Sequence, residues 1–563
     1  MKLALPKSLA GYGFDKVLPV ELNDVDAGHV LPSLFFLVVS EGRTRARRPN
    51  DPRALSQYLD AMARHPDLQG FADAAGRRSL ERLVRGTLVT MGTSGRAHRD
   101  EQILSLVPYS LLSYRSGFPY EERRARSVDR VLYHTLLRAA GSGSALRTLF
   151  AQAFGAGLLL GNPPTLDGRY DGTTPLDLLT RLSLLFIDGL KPTPCGSARS
   201  TVLPGASPAW FDAIGHDLFA WLRVYAPRMP RQALIRHLVT LINLEMFLFS
   251  RTVTAAVTAL TRQPEQLPPA LQQPFAGGAP PLYLDFTAVP HGASQRLAQQ
   301  AVRRDIEQAR EFFGASQRLR LLDRYWDKLA GSPRTAAPLA QLYAGEPHGP
   351  AYLQALLRLE AHPATTEAVD ARAEQDIDSI LDGLAGDDAA ARALWAERTA
   401  ARGAAPLERL VRLVVEAQEG KAMTAAMLWF ADTGGIERAD GILQGTRAAR
   451  TTWRYEPGND LLAVLLQLVA ARRHHDAGLA PHAPLAPLRL RDVLAWLTQR
   501  FGILIDRPPP DADGAEHHAA ARDNLRAMLA RLRQMGLFSD ASDDFTVQRI
   551  HPPYARAAAD REE

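Results

Sequence analysis

The chain has 563 residues, 46% of them hydrophobic and 23% charged, which is length for about three or four domains and the composition of an ordinary globular protein. Wholesale disorder, collagen-like repeats and disulfide-dense scaffolds are excluded. Net charge is only +5, and of 66 basic residues just Lys2, Lys7, Lys16, Lys191, Lys328 and Lys421 are lysine, a bias that reads first as GC-rich coding.

That small charge is unevenly spread. Residues 1–150 hold 22 Lys/Arg against 15 Asp/Glu, a net of +7, whereas the rest hold 44 against 46, a net of −2. Residues 1–160 are expected to form a basic α+β region. Its densest run is Arg43, Arg45, Arg47, Arg48 and Arg53, followed by Arg77, Arg78, Arg82 and Arg85 and then Arg123, Arg124, Arg126 and Arg130. Guanidinium clusters bind phosphate bidentately and supply the salt-dependent part of nucleic-acid affinity; they serve equally as a solvated face or a contact for an acidic protein. Pro6 and Lys7 break the opening apolar stretch, so no secretory signal is expected. GTLVTMG (86–92) and EQILSLVPYSLLSYR (101–115) predict a small hairpin.

A helical middle follows. Helices are predicted at 176–187 and after Ser207-Pro208, where the serine reads as a cap and the proline as the first helical residue. Cys195, the only cysteine, leaves no intramolecular disulfide and no Cys-based zinc site, as a reducing cytoplasm permits. Residues 231–262 are apolar but interrupted by Arg236, His237, Glu245 and Arg251, which predicts a helix buried in protein rather than a membrane span. Buried inside it, Glu245 needs a partner such as Arg236 or Arg251. Domain expectations are therefore a helical region at 176–262 and a helical body at 282–474, the latter with helices at 292–330, 352–360, 368–400, 406–432 and 459–474 and an isolated strand at 282–287. Pro/Gly-rich joints fall near 161, 191, 263, 331 and 475–487.

Residues 488–554 change character: LRLRDVLAWLTQRF reads as a helix, GILIDR as a short strand, AEHHAAARDNLRAMLARLRQMG as a second helix and 537–554 as a hairpin. Helix, strand, helix and hairpin is the order of a winged helix. At 100° per residue, Arg522, Arg526 and Arg533 fall within about 40° of one another beside an apolar face of Leu525, Met528, Leu532 and Met535. Arg531 lies apart, as plain surface. The helix is thus a candidate for a DNA groove, with Gln548 and Arg549 on the wing. Asp540, Asp543 and Asp544 on that wing favour instead a protein-docking module.

Catalytic signatures are missing. There is no phosphate-binding GxxxxGK[ST], and HExxH, GxSxG and strand-to-helix GxGxxG arrangements do not occur. His474, His475 and Asp476 form an isolated His-Asp doublet, His517 and His518 open a helix, and Asp285 ends a strand candidate. Asp285 could hold Mg²⁺ in a divergent nuclease, but the commoner reading of such a residue is a turn or helix cap. The acidic run from Glu367 to Asp388 reads as a solvated face. No cofactor and no metal is expected, and catalysis is not the favoured reading.

Several segments carry a resemblance: MKLALPKSLAGYGFDKVLPVEL, VLPSLFFLVVSEGRTRARRPN, PLYLDFTA, RFGILIDRPP and NLRAMLARLRQMGLFSDASDDFTVQRIHPPY. They resemble accessory proteins of bacterial anti-phage defence islands, most nearly a non-catalytic component of the methylation-associated defence system. The resemblance implies a cytoplasmic protein working on or beside DNA with methyltransferase, nuclease or ATPase subunits. The expected architecture is mainly α and multi-domain, with a small N-terminal α+β part, a helical middle and a C-terminal winged-helix-like unit. Its function is expected to be that of a DNA-associated scaffold or recognition subunit. A divergent nuclease and a purely protein-binding scaffold are the alternatives. Candidate nucleic-acid contacts are Arg43, Arg45, Arg47, Arg48, Arg522, Arg526, Arg533 and Arg549.

Overall fold

The computed structural model describes residues 5–46, 55–93, 101–191, 194–198, 203–273, 278–383, 393, 395, 397, 404–539 and 548–556. Arg47, Arg48 and Arg53, the hairpin loop at 94–100 and the wing aspartates Asp540, Asp543 and Asp544 lie outside them, as does most of the acidic stretch after Asp382.

The architecture is mainly α. Among the described residues no strand exceeds seven residues, and the sheets have two or three strands. Helical spacing placed most long elements to within about two residues; the exception is 368–400, where helix Thr366–Asp382 stops at its Gly383 C-cap. Ala293–Ala330, Pro406–Thr433 and Asn459–Asp476 all form, and the apolar run becomes Arg231–Arg262 over its whole length. That last helix is long and apolar enough to cross a membrane by length and composition, yet 83% of its most apolar window is buried within the protein. It packs against Pro208–Tyr225, Ala293–Ala330, Pro406–Thr433 and Asn459–Asp476. Burial on most sides accounts for its lack of a clean polar face. Buried apolar side chains form one continuous cluster from Leu9 to Ile550.

In the N-terminal part, Val89–Gly92 and Gln102–Leu106 pair antiparallel, as the hairpin reading expects. Residues 111–115 are a 3₁₀ turn rather than more strand, started by Ser110, whose hydroxyl accepts from the Leu112 N–H. Ala27–Val39 is a buried helix that tolerates Pro32 and is capped by Asp26, which accepts from the Gly28 N–H at 2.8 Å. Helix Pro208–Tyr225 begins at the expected proline, but Ser207 does not cap it. Its hydroxyl instead donates to the Leu271 carbonyl at 3.1 Å.

The C-terminal part differs from its predicted arrangement in two respects. Leu488–Arg489, which the helical reading absorbed, is a strand leading directly into helix Leu490–Phe501. It pairs with Arg549–Ile550, which pairs with Phe538–Ser539, giving an antiparallel three-stranded sheet with the last strand in the middle. Ile503–Leu504 does form a strand, but it pairs in parallel with Leu282–Tyr283 and belongs to a different sheet. The isolated strand at 282 thus finds its partner some 220 residues away.

Candidate nucleic-acid interface

Helix Ala515–Gln534 is seated from its inner face. Asn524 is fully buried; its amide donates to the carbonyls of Leu284 (2.7 Å) and Ile505 (3.0 Å), and its oxygen accepts from the Phe286 N–H (2.6 Å). One side chain therefore satisfies backbone groups of both strand segments beneath the helix. Helical geometry puts position 524 about 160–200° from positions 522, 526 and 533. The arginines consequently point outward, and all three are exposed. Arg526 makes an i−3 pair with Asp523 at 2.6 Å, with both side chains more than 60% exposed, so water screens the pair and leaves the guanidinium available. The Arg533 guanidinium lies 5.1 Å from the Phe538 ring centroid. Arg549 is exposed on the middle strand of the adjoining sheet.

Arg531 overturns the expectation of plain surface. It lies about 20° from Asn524 around the helix, donates to the Pro457 carbonyl at 2.7 Å and sits over Phe286 at 5.4 Å. The rest of the helix is fixed from its N-terminal end: Glu516 pairs with Arg296 at 2.7 Å, and His517 Nδ1 lies 2.9 Å from the Ala512 carbonyl oxygen.

The N-terminal candidates are less open. Arg43 and Arg45 lie on a strand paired antiparallel with Cys195–Ala198 and are half-buried, with the Arg45 guanidinium 4.4 Å from the Phe36 ring centroid. Several of the surrounding arginines are already paired within the chain. Arg77 meets Asp60 at 2.9 Å, Arg85 meets Glu81 at 2.9 Å and Glu101 at 2.7 Å, and Arg124 and Arg126 converge on Asp24. Arg78 and Arg82 remain exposed on helix Ala74–Thr87. Glu121, buried below the hairpin, accepts from the Leu106 N–H and the Ser116 hydroxyl; burial pushes its carboxyl up to about 7.

The Glu245 expectation is corrected in its partner. Arg236 and Arg251 stand about 180° and 120° away from it around the helix. They pair instead with Asp460 (3.4 Å) and Asp305 (2.6 Å). Glu245 is met by Arg500, whose Nη2 lies 3.2 Å from Oε2 and whose Nε lies 2.9 Å from Asp217 Oδ2. All three side chains are fully buried. Arg472 approaches Asp217 at 3.5 Å, and the Arg500 guanidinium stacks 4.4 Å from the Trp210 ring centroid. Burial, helped by Asp217 and opposed by Arg500, pushes the Glu245 carboxyl up to about 8. This is a structural ion network linking four helices. Sequence reasoning missed Asp217, Arg472 and Arg500 because nothing local marks partners 255 and 283 residues distant.

The remaining candidates for chemistry are held in structural roles. Asp285 is fully buried, and its Oδ1 accepts from the Thr287 N–H and hydroxyl and from the Ser294 hydroxyl at 2.6–3.0 Å. That is the turn and helix-start role given as its commoner reading. His474 Nε2 lies 2.7 Å from the Ala480 carbonyl, and His475 Nδ1 lies 3.1 Å from Arg223. Within the acidic run, Asp376 meets Arg324 and accepts from Tyr325, and Glu374 meets Arg409. Among the described residues no three His, Cys, Asp or Glu side chains gather as a metal site.

Fold and site together define a mainly α protein with a small C-terminal sheet flanked by an arginine-faced helix. Residues 7–554 match the family described as methylation-associated defense system protein MAD7, and the chain belongs to that family. No curated protein and no solved structure matches it.

Proposed function

We propose that the protein is a non-catalytic, DNA-associated scaffold or recognition subunit of its defence system. It would work in the cytoplasm and help position partner components such as a methyltransferase, nuclease or ATPase on phage or modified DNA. The observation that carries this reading is the connectivity of the C-terminal sheet. With Asn459–Asp476 taken as first helix, Leu488–Arg489 as first strand, Leu490–Phe501 as second helix and Ala515–Gln534 as third, the terminal hairpin pairs its last strand with the first. That order supports reading the unit as winged-helix-like, with its first helix at 459–476 rather than inside 488–554, and the third helix is the one such units lay in a major groove. Here it bears Arg522, Arg526 and Arg533 outward, with Arg549 on the adjoining strand. Phosphate contacts by such residues position a protein on duplex without requiring sequence readout. The half-buried Arg43 and Arg45 are secondary candidates.

The test uses the full chain and a labelled duplex, with anisotropy followed from 50 to 200 mM salt. Binding that falls steeply with salt, on DNA left intact in Mg²⁺ or Mn²⁺, is the expected result. No binding at 50 mM salt, or salt-independent binding, would overturn the reading in favour of a protein-binding scaffold. Cleavage would overturn it in favour of a nuclease.

A further inference from the structure

An unassigned cavity of about 230 Å³ lies between the N-terminal segment Tyr12–Leu22 and helices Arg231–Arg262, Ala293–Ala330 and Pro406–Thr433. Its walls are mostly carbon, with Phe14, Leu18, Leu22, Phe312, Phe313 and Met423 prominent. A smaller space of about 40 Å³ adjoins it, sharing Leu22, Thr254, Ala309 and Ala426. This end is lined by the buried Arg251–Asp305 pair.

The donors of that pair are committed. Arg251 gives its three nitrogens to Asp305 and to the carbonyls of Pro280 and Pro281, and Tyr455 donates to Asp305. Gln308, which lines the same end, differs: its Nε2 is sealed from solvent and has no hydrogen-bond partner. Native structures rarely leave a buried donor unpaired, and an apolar pocket with a few placed polar groups is the usual form of a small-molecule site. Their meeting at one end of one cavity suggests an absent occupant that satisfies both.

We propose that this cavity binds a small amphipathic molecule. The occupant has an apolar body, aromatic or short acyl, and one hydrogen-bond acceptor that takes the Gln308 amide. An apolar cavity of about 150 Å³ holds benzene, so the space here suits a molecule of roughly ten to thirteen heavy atoms. Pockets of this kind derive affinity from apolar contact and orientation from a few placed polar groups. Because residues 12–22 form one wall, the occupant would also fasten the N-terminal segment to the three helices. The inference is independent of DNA binding.

The probes are 2-acetonaphthone, which carries a carbonyl acceptor, and 2-isopropylnaphthalene, which has the same bulk without one. Each is titrated into the full-length protein and followed by ligand-observed NMR and by the thermal midpoint. The expected result is saturable binding of the ketone below 1 mM, with a dose-dependent rise in midpoint. Ala426→Phe and, separately, Ala309→Leu fill the space and should abolish binding by either probe; circular dichroism identifies which variant keeps the native fold. Gln308→Leu should weaken the ketone three- to tenfold and leave the hydrocarbon within twofold. No saturable binding to the wild type, or undiminished binding to a folded filled-cavity variant, would overturn the site. Equal loss of both probes on Gln308→Leu would overturn the acceptor.

Discussion

Arg500 and Arg526 lie 26 positions apart on successive helices of the same C-terminal region, and they do opposite work. Arg500 is fully buried between Asp217 and Glu245 and stacked on Trp210. There a guanidinium's planar fork compensates the buried Asp217 carboxylate and holds the Glu245 carboxyl, which burial keeps protonated below about pH 8. Arg526 stands in solvent beside Asp523, where its pair contributes little and its charge stays available to a phosphate. Sixty arginines in one chain are therefore no measure of nucleic-acid affinity. Only those that the fold leaves outward and uncommitted count, and in the N-terminal part, so prominent by composition, Arg77, Arg85, Arg124 and Arg126 are already engaged by Asp24, Asp60, Glu81 and Glu101.

The sharpest way to break this contrast is Arg500→Met. It strands the Asp217 carboxylate and the Glu245 carboxyl in the core without their guanidinium and should cost about 3–5 kcal/mol, measured by urea denaturation; a loss below 1 kcal/mol would show that the network carries no structural weight. Arg522→Ala/Arg526→Ala/Arg533→Ala should do the converse. Unfolding should change by less than about 1 kcal/mol, while the slope of log affinity for duplex DNA against log salt should fall by roughly 0.9 for each phosphate that is no longer neutralised. An unchanged slope would move the interface elsewhere.

Protonation sharpens the buried side. The Glu245 carboxyl is raised to about 8 in the folded chain, from an ordinary value of 4.5. Between those values the native state holds the proton more tightly than the unfolded state, so this group's contribution to stability falls as pH rises from about 4.5 to 8. Glu121, raised to about 7, adds in the same sense over a narrower window. Burial lowers the pKa of His29, His134, His237 and His475, which adds stability as pH rises toward 6.5; above that value thermal midpoints should drop toward pH 8.5, and Glu245→Gln should flatten part of that slope. A wild-type slope retained in full by Glu245→Gln would refute the assignment. The smallest effect is expected at Arg77→Ala, which removes a half-exposed pair with Asp60: at most about 1 kcal/mol, and little change in DNA affinity.

Much of the helical framework was legible because long amphipathic or apolar runs with proline starts leave a period in the sequence. Arg231–Arg262 and Pro208–Tyr225 are examples. The two-residue strands were harder, since Leu488–Arg489 has no period of its own and is defined only by its partner at 549–550. The arginine face at 522, 526 and 533 could be placed by angle alone. Arg531 could not, because its position toward the interior depends on Asn524 anchoring the helix to segments 282–286 and 503–505.

Arg228 bears on how the two ends of the protein move together. It is fully buried, and its guanidinium donates to the carbonyls of Val224, Pro481 and Ala483, so the Pro- and Ala-rich stretch that resembles a flexible tether is bolted to the end of helix Pro208–Tyr225. If the arginine-faced helix carries DNA, residues 481 and 483 give its load a second route into the helical body besides the chain itself.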